Sequence, residues 1–162
     1  MSPPYARPQG SATLMHVAIN CPDVDESLRF YSEGLGFTRR YEWTKSSKAA
    51  CPGHAVYTGR GVYIELEGET YIELFPGGTR GVDSSAGPIQ HIALIVPSVD
   101  EAYTKCLASG GRPYALEDWD GAPETVVLNG TPEMEVRVAF IAGPAGELIE
   151  LYEQYSPVVA RQ

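Results

Sequence analysis

Apolar and polar positions along the chain fall into short runs that spell the same order of elements twice. Residues 15–21, MHVAINC, are apolar and partly β-branched with no helical period, and they predict a strand that Pro22 ends. In the following DESLRFYSEGLGF, Leu28, Tyr31 and Leu35 recur at helical spacing; Asp23 or Asp25 caps the start, and Gly34 and Gly36 close the helix. A strand is expected over residues 37–43, then a polar stretch, TKSSKAACPGH. A hairpin follows, in which VYTGRGVYIEL and TYIELF flank a turn at residues 67–69. Residues 76–88, PGGTRGVDSSAGP, have the composition of a linker.

The order then repeats. Residues 91–96 predict a strand, and Pro97 and Ser98 open a helix through VDEAYTKCLASGG. A strand is expected at residues 112–116, and EVRVAFIAGP and ELIELYE supply a closing pair. Between them, EDWDGAPETVVLNGTPE is long and turn-rich and suggests a lid over a pocket. The repetition reaches single residues. HVAINCPDVDE, residues 16–26, and HIALIVPSVDE, residues 91–101, are identical at six of eleven positions, and YIELF answers LIELY. The separation of His16 from Glu73 nearly equals that of His91 from Glu150. Each half of an internal duplication thus opens on a His and closes on a Glu.

Composition narrows the function classes. At 162 residues with 43% hydrophobic positions, the chain can bury a substantial core as one domain or two small modules. A formal net charge of −9 argues against a nucleic-acid surface, and no apolar run approaches a membrane span. The opening MSPPYARPQGSATL carries one Arg and no apolar run, so it reads as a flexible tail. Cys21, Cys51 and Cys106 form no CxxC pair; Cys21 and Cys106 read as core fillers, and a reducing cytoplasm is the expected compartment.

A single His in an apolar strand usually serves packing, and a single Glu there usually faces solvent by alternation. Here the two types are duplicated together, and a carboxylate among Ile and Leu needs a compensating partner if it points inward. Two imidazoles and two carboxylates suit one divalent ion: zinc, nickel, cobalt, manganese or ferrous iron. His16, Glu73, His91 and Glu150 are therefore the expected ligands. Glu65, in the other YIEL phrase, breaks the matched spacing and reads as a hairpin neighbour, and His54 reads as a loop residue. Tyr63, Tyr71, Phe75, Trp119 and Phe140 are candidates to line an apolar pocket, and Arg39, Arg40 or Arg137 to meet an anionic group.

These residues resemble the vicinal oxygen chelate superfamily, which includes glyoxalase I, methylmalonyl-CoA epimerase, extradiol dioxygenases and antibiotic resistance proteins. HVAINCPDVDESLRFYSEGLGF is similar to the family's opening strand and helix, and GPAGELIELYE to its closing turn and strand, over about residues 14–154. The resemblance implies an α+β fold of two tandem βαβββ modules forming a cupped mixed sheet around a metal site. It places a first module at residues 14–76 and a second at 90–154, with a linker at 77–89 and tails at 1–13 and 155–162. It puts the four ligands on His16, Glu73, His91 and Glu150, makes Glu150 the principal base with Glu73 its counterpart, and implies a homodimer acting on a small molecule. Glu73 is similar to the glyoxalase I ligand, but Asn20 stands where glyoxalase I carries an Arg that helps hold glutathione, which speaks against glutathione dependence. The expected activity is a metal-dependent lyase, isomerase or epimerase; a non-haem iron dioxygenase and a binding protein without turnover are the alternatives. Neither substrate nor metal is named by the sequence.

Overall fold

The computed structural model describes residues 14–38, 40–49, 56–66, 70–78, 89–116, 118–128, 130 and 134–153. The expected turn at 67–69, most of the linker, both tails, Arg39, Cys51 and His54 lie outside the described residues.

The first half opens with β1 (His16–Cys21), α1 (Val24–Arg29) and a π-helical turn (Phe30–Gly34), followed by β2 (Arg40–Ala49), β3 (Val56–Glu65) and β4 (Tyr71–Pro76). Its sheet has the order β1-β4-β3-β2, with β1 parallel to β4 and the other pairs antiparallel. The second half runs through β5 (Ile92–Val96), α2 (Val99–Ala108), β6 (Arg112–Pro113), β7 (Glu124–Leu128), β8 (Met134–Ala142) and β9 (Leu148–Glu153). Its order is β5-β9-β8-β6, again with a parallel first pair, and β7 lies along β8 as well. This is the α+β class expected from the sequence.

Local chemistry sets the helix starts. Asp23 Oδ1 accepts from the backbone N–H groups of Asp25 and Glu26 at 2.9 and 3.1 Å, and Ser98 Oγ accepts from Glu101 N at 3.3 Å. Glu153 reaches across from β9 to accept from Val99 N at 2.8 Å. Gly36 ends the first helical segment at φ 78°.

One face of each sheet is covered by helix, and both faces contribute to a single core. Ile19, Cys21, Val62, Ile64, Ile72 and Leu74 pack with Phe30 and Tyr31, continuous with Val96, Cys106, Ile141, Ile149 and Leu151. The π-helical turn lies on α2 so closely that a Cβ on Gly34 would sit 3.2 Å from the Cys106 Cα. Cys21 and Cys106 are buried, as expected of core fillers, and burial pushes their thiols up to about 11 and about 12.

Three expectations are corrected. The strand placed at 37–43 begins at Arg40 and continues to Ala49, because the polar TKSSKA pairs along β3. The strand placed at 112–116 shrinks to Arg112–Pro113, since proline cannot extend the ladder, and continues only as a bridge between Leu116 and Trp119. The expected lid contains β7, whose ETVVL pairs with β8 at Val126–Val136. Together β6 and β7 occupy the edge of β8 that β2 occupies on β3.

Candidate metal centre

Strand alternation sorts the residues of β1 and β4 into two faces. Val17, Ile19, Cys21, Ile72 and Leu74 turn to the core, leaving His16, Ala18 and Asn20 beside Tyr71, Glu73 and Phe75 on the other face. Ala18 is the register partner of Glu73, and its small side chain lets the His16 ring reach the carboxylate diagonally. His16 Nε2 lies 3.1 Å from Glu73 Oε2.

The second sheet repeats this geometry. Ala93 is the register partner of Glu150, His91 stands two residues before Ala93, and His91 Nε2 lies 3.2 Å from Glu150 Oε2. The likeness extends one strand further. Tyr63 is opposite Glu73 and Phe140 is opposite Glu150, and each ring meets its histidine edge-on, at 5.5 and 5.6 Å.

The two halves differ in one functional group. Tyr63 sets a hydroxyl-bearing ring opposite Glu73; burial first, and then this carboxylate, push the phenol up to about 12. Phe140 offers Glu150 no such donor. The Glu73 side chain is also the more enclosed, 6% exposed against 19% for Glu150.

An imidazole nitrogen and a carboxylate oxygen this close need either an N–H hydrogen or a metal ion between them. The donor types are those of a divalent site, and His16 Nδ1 is buried without a hydrogen-bond partner, so Nε2 is the nitrogen aimed at a carboxylate. The residues therefore fit a metal. Among the described residues, however, no three His, Cys, Asp or Glu side chains come together as ligands of one ion. The chain presents two separate two-ligand pairs.

Glu65 lies at the far end of β3 opposite Tyr71, so Glu73 is the glutamate set against His16. Trp119 meets Phe140 edge-on at 5.5 Å, and Phe75 lies beyond Glu73 under the edge of Trp43 at 5.7 Å. Arg40 pairs with Glu42, and Arg137 is held by both oxygens of Asp100 at 2.6 Å, away from the His–Glu faces. Sequence reasoning missed Tyr41 and Trp43, although the alternation in YEW was its signal. It also missed Glu147, a buried carboxylate whose partner, Tyr31, is 116 positions away. A cavity of about 460 Å³ opens between β1, the start of β5 and the loop before β9, bordered by Ala18, Asn20, Gln90, His91 and Glu147.

Among the described residues no helix is long and apolar enough to cross a membrane. A family model described as the Glyoxalase/Bleomycin resistance protein/Dioxygenase superfamily matches residues 13–151. The Escherichia coli protein YaeR is 28% identical over 148 residues, 90% of this chain and 98% of its own length, and Bacillus subtilis YwbC is 27% identical over 139 residues, 86% and 95%. Both are described as uncharacterized. Among solved structures, glyoxalase I from Zea mays superposes with a TM-score of 0.56 at 18% identity, over 88% of this chain but 45% of that one. UcmS2 superposes at 0.57 and 19% identity, over 88% and 98%.

Proposed function

The chain belongs to the glyoxalase/bleomycin resistance protein/dioxygenase superfamily, and from that membership we propose a metal-dependent lyase, isomerase or epimerase that moves a proton at carbon beside vicinal oxygens of a small molecule. The observation that carries this reading is the repeated His–Glu diagonal, His16 with Glu73 and His91 with Glu150, at the same register position of two sheets.

His16, Glu73, His91 and Glu150 would hold one divalent ion, zinc, nickel, cobalt, manganese or iron, which when bound would supply Lewis-acid polarisation of a carbonyl. Since each chain carries its ligands as two separate pairs, a homodimer is the assembly that sets one pair of each copy against the other pair of its partner. Glu150, the more open carboxylate, takes the proton from the carbon next to the carbonyl. Returned to the same carbon on its other face, that proton gives the epimer; returned to the neighbouring carbon, it gives the isomer. Glu73, opposite Tyr63 and the more enclosed of the two carboxylates, is the counterpart of Glu150. His16 and His91, backed by Tyr63 and Phe140, keep their rings edge-on and their Nε2 atoms aimed at the carboxylates.

Elemental analysis of untagged protein tests the reading. About one divalent ion per chain is expected; no uptake of any of the five metals after reconstitution defeats it. Iron at that level with substrate-dependent oxygen consumption would replace proton transfer by a dioxygenase.

Tyr63 supplies a finer check. Hydrogen-bond donors to metal ligands typically contribute about 10- to 100-fold in affinity. Tyr63→Phe should therefore weaken cobalt binding about tenfold, and Phe140→Leu should leave it nearly unchanged. Titration of the visible cobalt bands reads both; equal effects would remove Tyr63 as the residue that fixes Glu73.

A further inference from the structure

The face that carries His16 and Glu73 is aromatic almost from edge to edge. Tyr71 and Phe75 flank Glu73 on β4, Tyr63 is opposite Glu73 on β3, and Tyr41 is opposite Tyr63 on β2. Trp43 lies across Gly61, where the packing leaves no room for any side chain beneath the indole. On the second sheet Phe140 and Trp119 stand in contact beside Glu150.

Phe75 apart, which is buried, core packing does not account for these rings. The core occupies the alternate positions of the same strands, at Val62, Ile64, Ile72 and Leu74. Tyr41 is 64% exposed, and Trp43, Tyr63, Trp119 and Phe140 are only partly covered. Half-covered rings on an open sheet face are what a planar apolar ligand can stack against.

Charge selects in the same direction. The faces bear two carboxylates, while Arg60 bonds to Asp25 and Glu42 and Arg137 to Asp100 on the helix side of the sheets. Arg112, at the outer edge opposite Ala142, is exposed and its charge bears on Glu147. Among the described residues, neither Glu73 nor Glu150 forms an ion pair with a Lys or Arg.

We infer that the site takes an uncharged substrate whose two neighbouring oxygens are attached next to an aromatic ring, the ring being held by the Tyr41–Tyr63 wall and, across the proposed homodimer, by the Trp119–Phe140 wall. Recognition of the oxygens rests on the metal reading above; recognition of the ring rests on the homodimer proposed with it and not on the metal.

Three probes separate the terms: 2-hydroxyacetophenone is neutral and aromatic, hydroxyacetone lacks the ring, and mandelate keeps the ring but adds a negative charge. Calorimetric titration of metal-loaded protein should show 2-hydroxyacetophenone binding about tenfold or more tighter than either of the others. Tyr41→Ala with Trp119→Ala should erase its advantage over hydroxyacetone. Equal binding of hydroxyacetone overturns the ring, tighter mandelate overturns the neutral charge, and no detectable 2-hydroxyacetophenone binding overturns both. The same titration on metal-free protein should retain the ring preference. A chain that never takes up metal yet keeps that preference defeats the proposed function and leaves this inference standing; a loaded chain without the preference does the reverse.

Discussion

Glu150→Gln should lower proton exchange at carbon by about 10²- to 10⁴-fold while leaving the fold unchanged, because an amide cannot accept the proton that a positioned carboxylate takes. Exchange of the CH₂ hydrogens of 2-hydroxyacetophenone for deuterium, followed by NMR with metal-loaded protein, measures this step without knowledge of the natural substrate. The family resemblance implies Glu150 as the base, and the asymmetry of an otherwise repeated site supports it. Glu73 is more enclosed and stands opposite Tyr63; Glu150 stands opposite Phe140 and is more exposed. Glu73→Gln should accordingly cost more in metal affinity and less in exchange at saturating metal. Because Gln is also the weaker ligand, metal content must be measured on each sample. Exchange near the wild-type rate in fully loaded Glu150→Gln would remove Glu150 as the proton carrier.

The same asymmetry shows what a duplicated sequence reveals and what it hides. The opening strand and helix of each half were legible because their signals are local: Pro22 and Pro97 break the strands, and Asp23 and Ser98 cap the helices from within three residues. The His–Glu correspondence was legible because duplication preserved it at matched spacing. The polar end of β2 was not, since KSSKA has no apolar alternation and takes its strand conformation from pairing with β3. Strand β7 looked like loop because the turn-rich residues around it outweigh ETVVL until β8 lies alongside. That the two His–Glu pairs stay apart within one chain depends on how the halves pack, through contacts such as Gly34 on Cys106, which no local pattern encodes. Tyr41 and Trp43 were visible as strand residues, but only the register across β3 places them on the face of Glu73.

Glu147 is the case in which long-range packing produces an effect on stability. It is 8% exposed, and it holds two donors: the Tyr31 hydroxyl at 2.8 Å on Oε1 and the Ala145 backbone N–H at 3.0 Å on Oε2. Tyr31 belongs to the first half and is fully buried, so this bond ties the halves together. Burial is the largest influence on the carboxyl and raises it above its ordinary 4.5; the Tyr31 hydrogen bond opposes that rise. Between 4.5 and the raised value the folded chain holds a proton that the unfolded chain has lost. The contribution of this group to stability is therefore complete below pH 4.5 and declines as pH rises through the raised value. Tyr31→Phe removes the opposing bond, pushes the carboxyl higher still, and leaves a buried carboxylate with one donor. The expected loss is about 2–3 kcal/mol at a pH above the raised value, where the group is ionised. Below pH 4.5, where the carboxyl is protonated in both proteins, the loss should shrink to about 1 kcal/mol, the worth of a neutral hydrogen bond. Urea unfolding of both chains at the two pH values reads the difference directly, since the charge effects of all other groups are common to both. A deficit that does not change with pH would mean that Tyr31 contributes only packing, and that the halves are held by their shared apolar core alone.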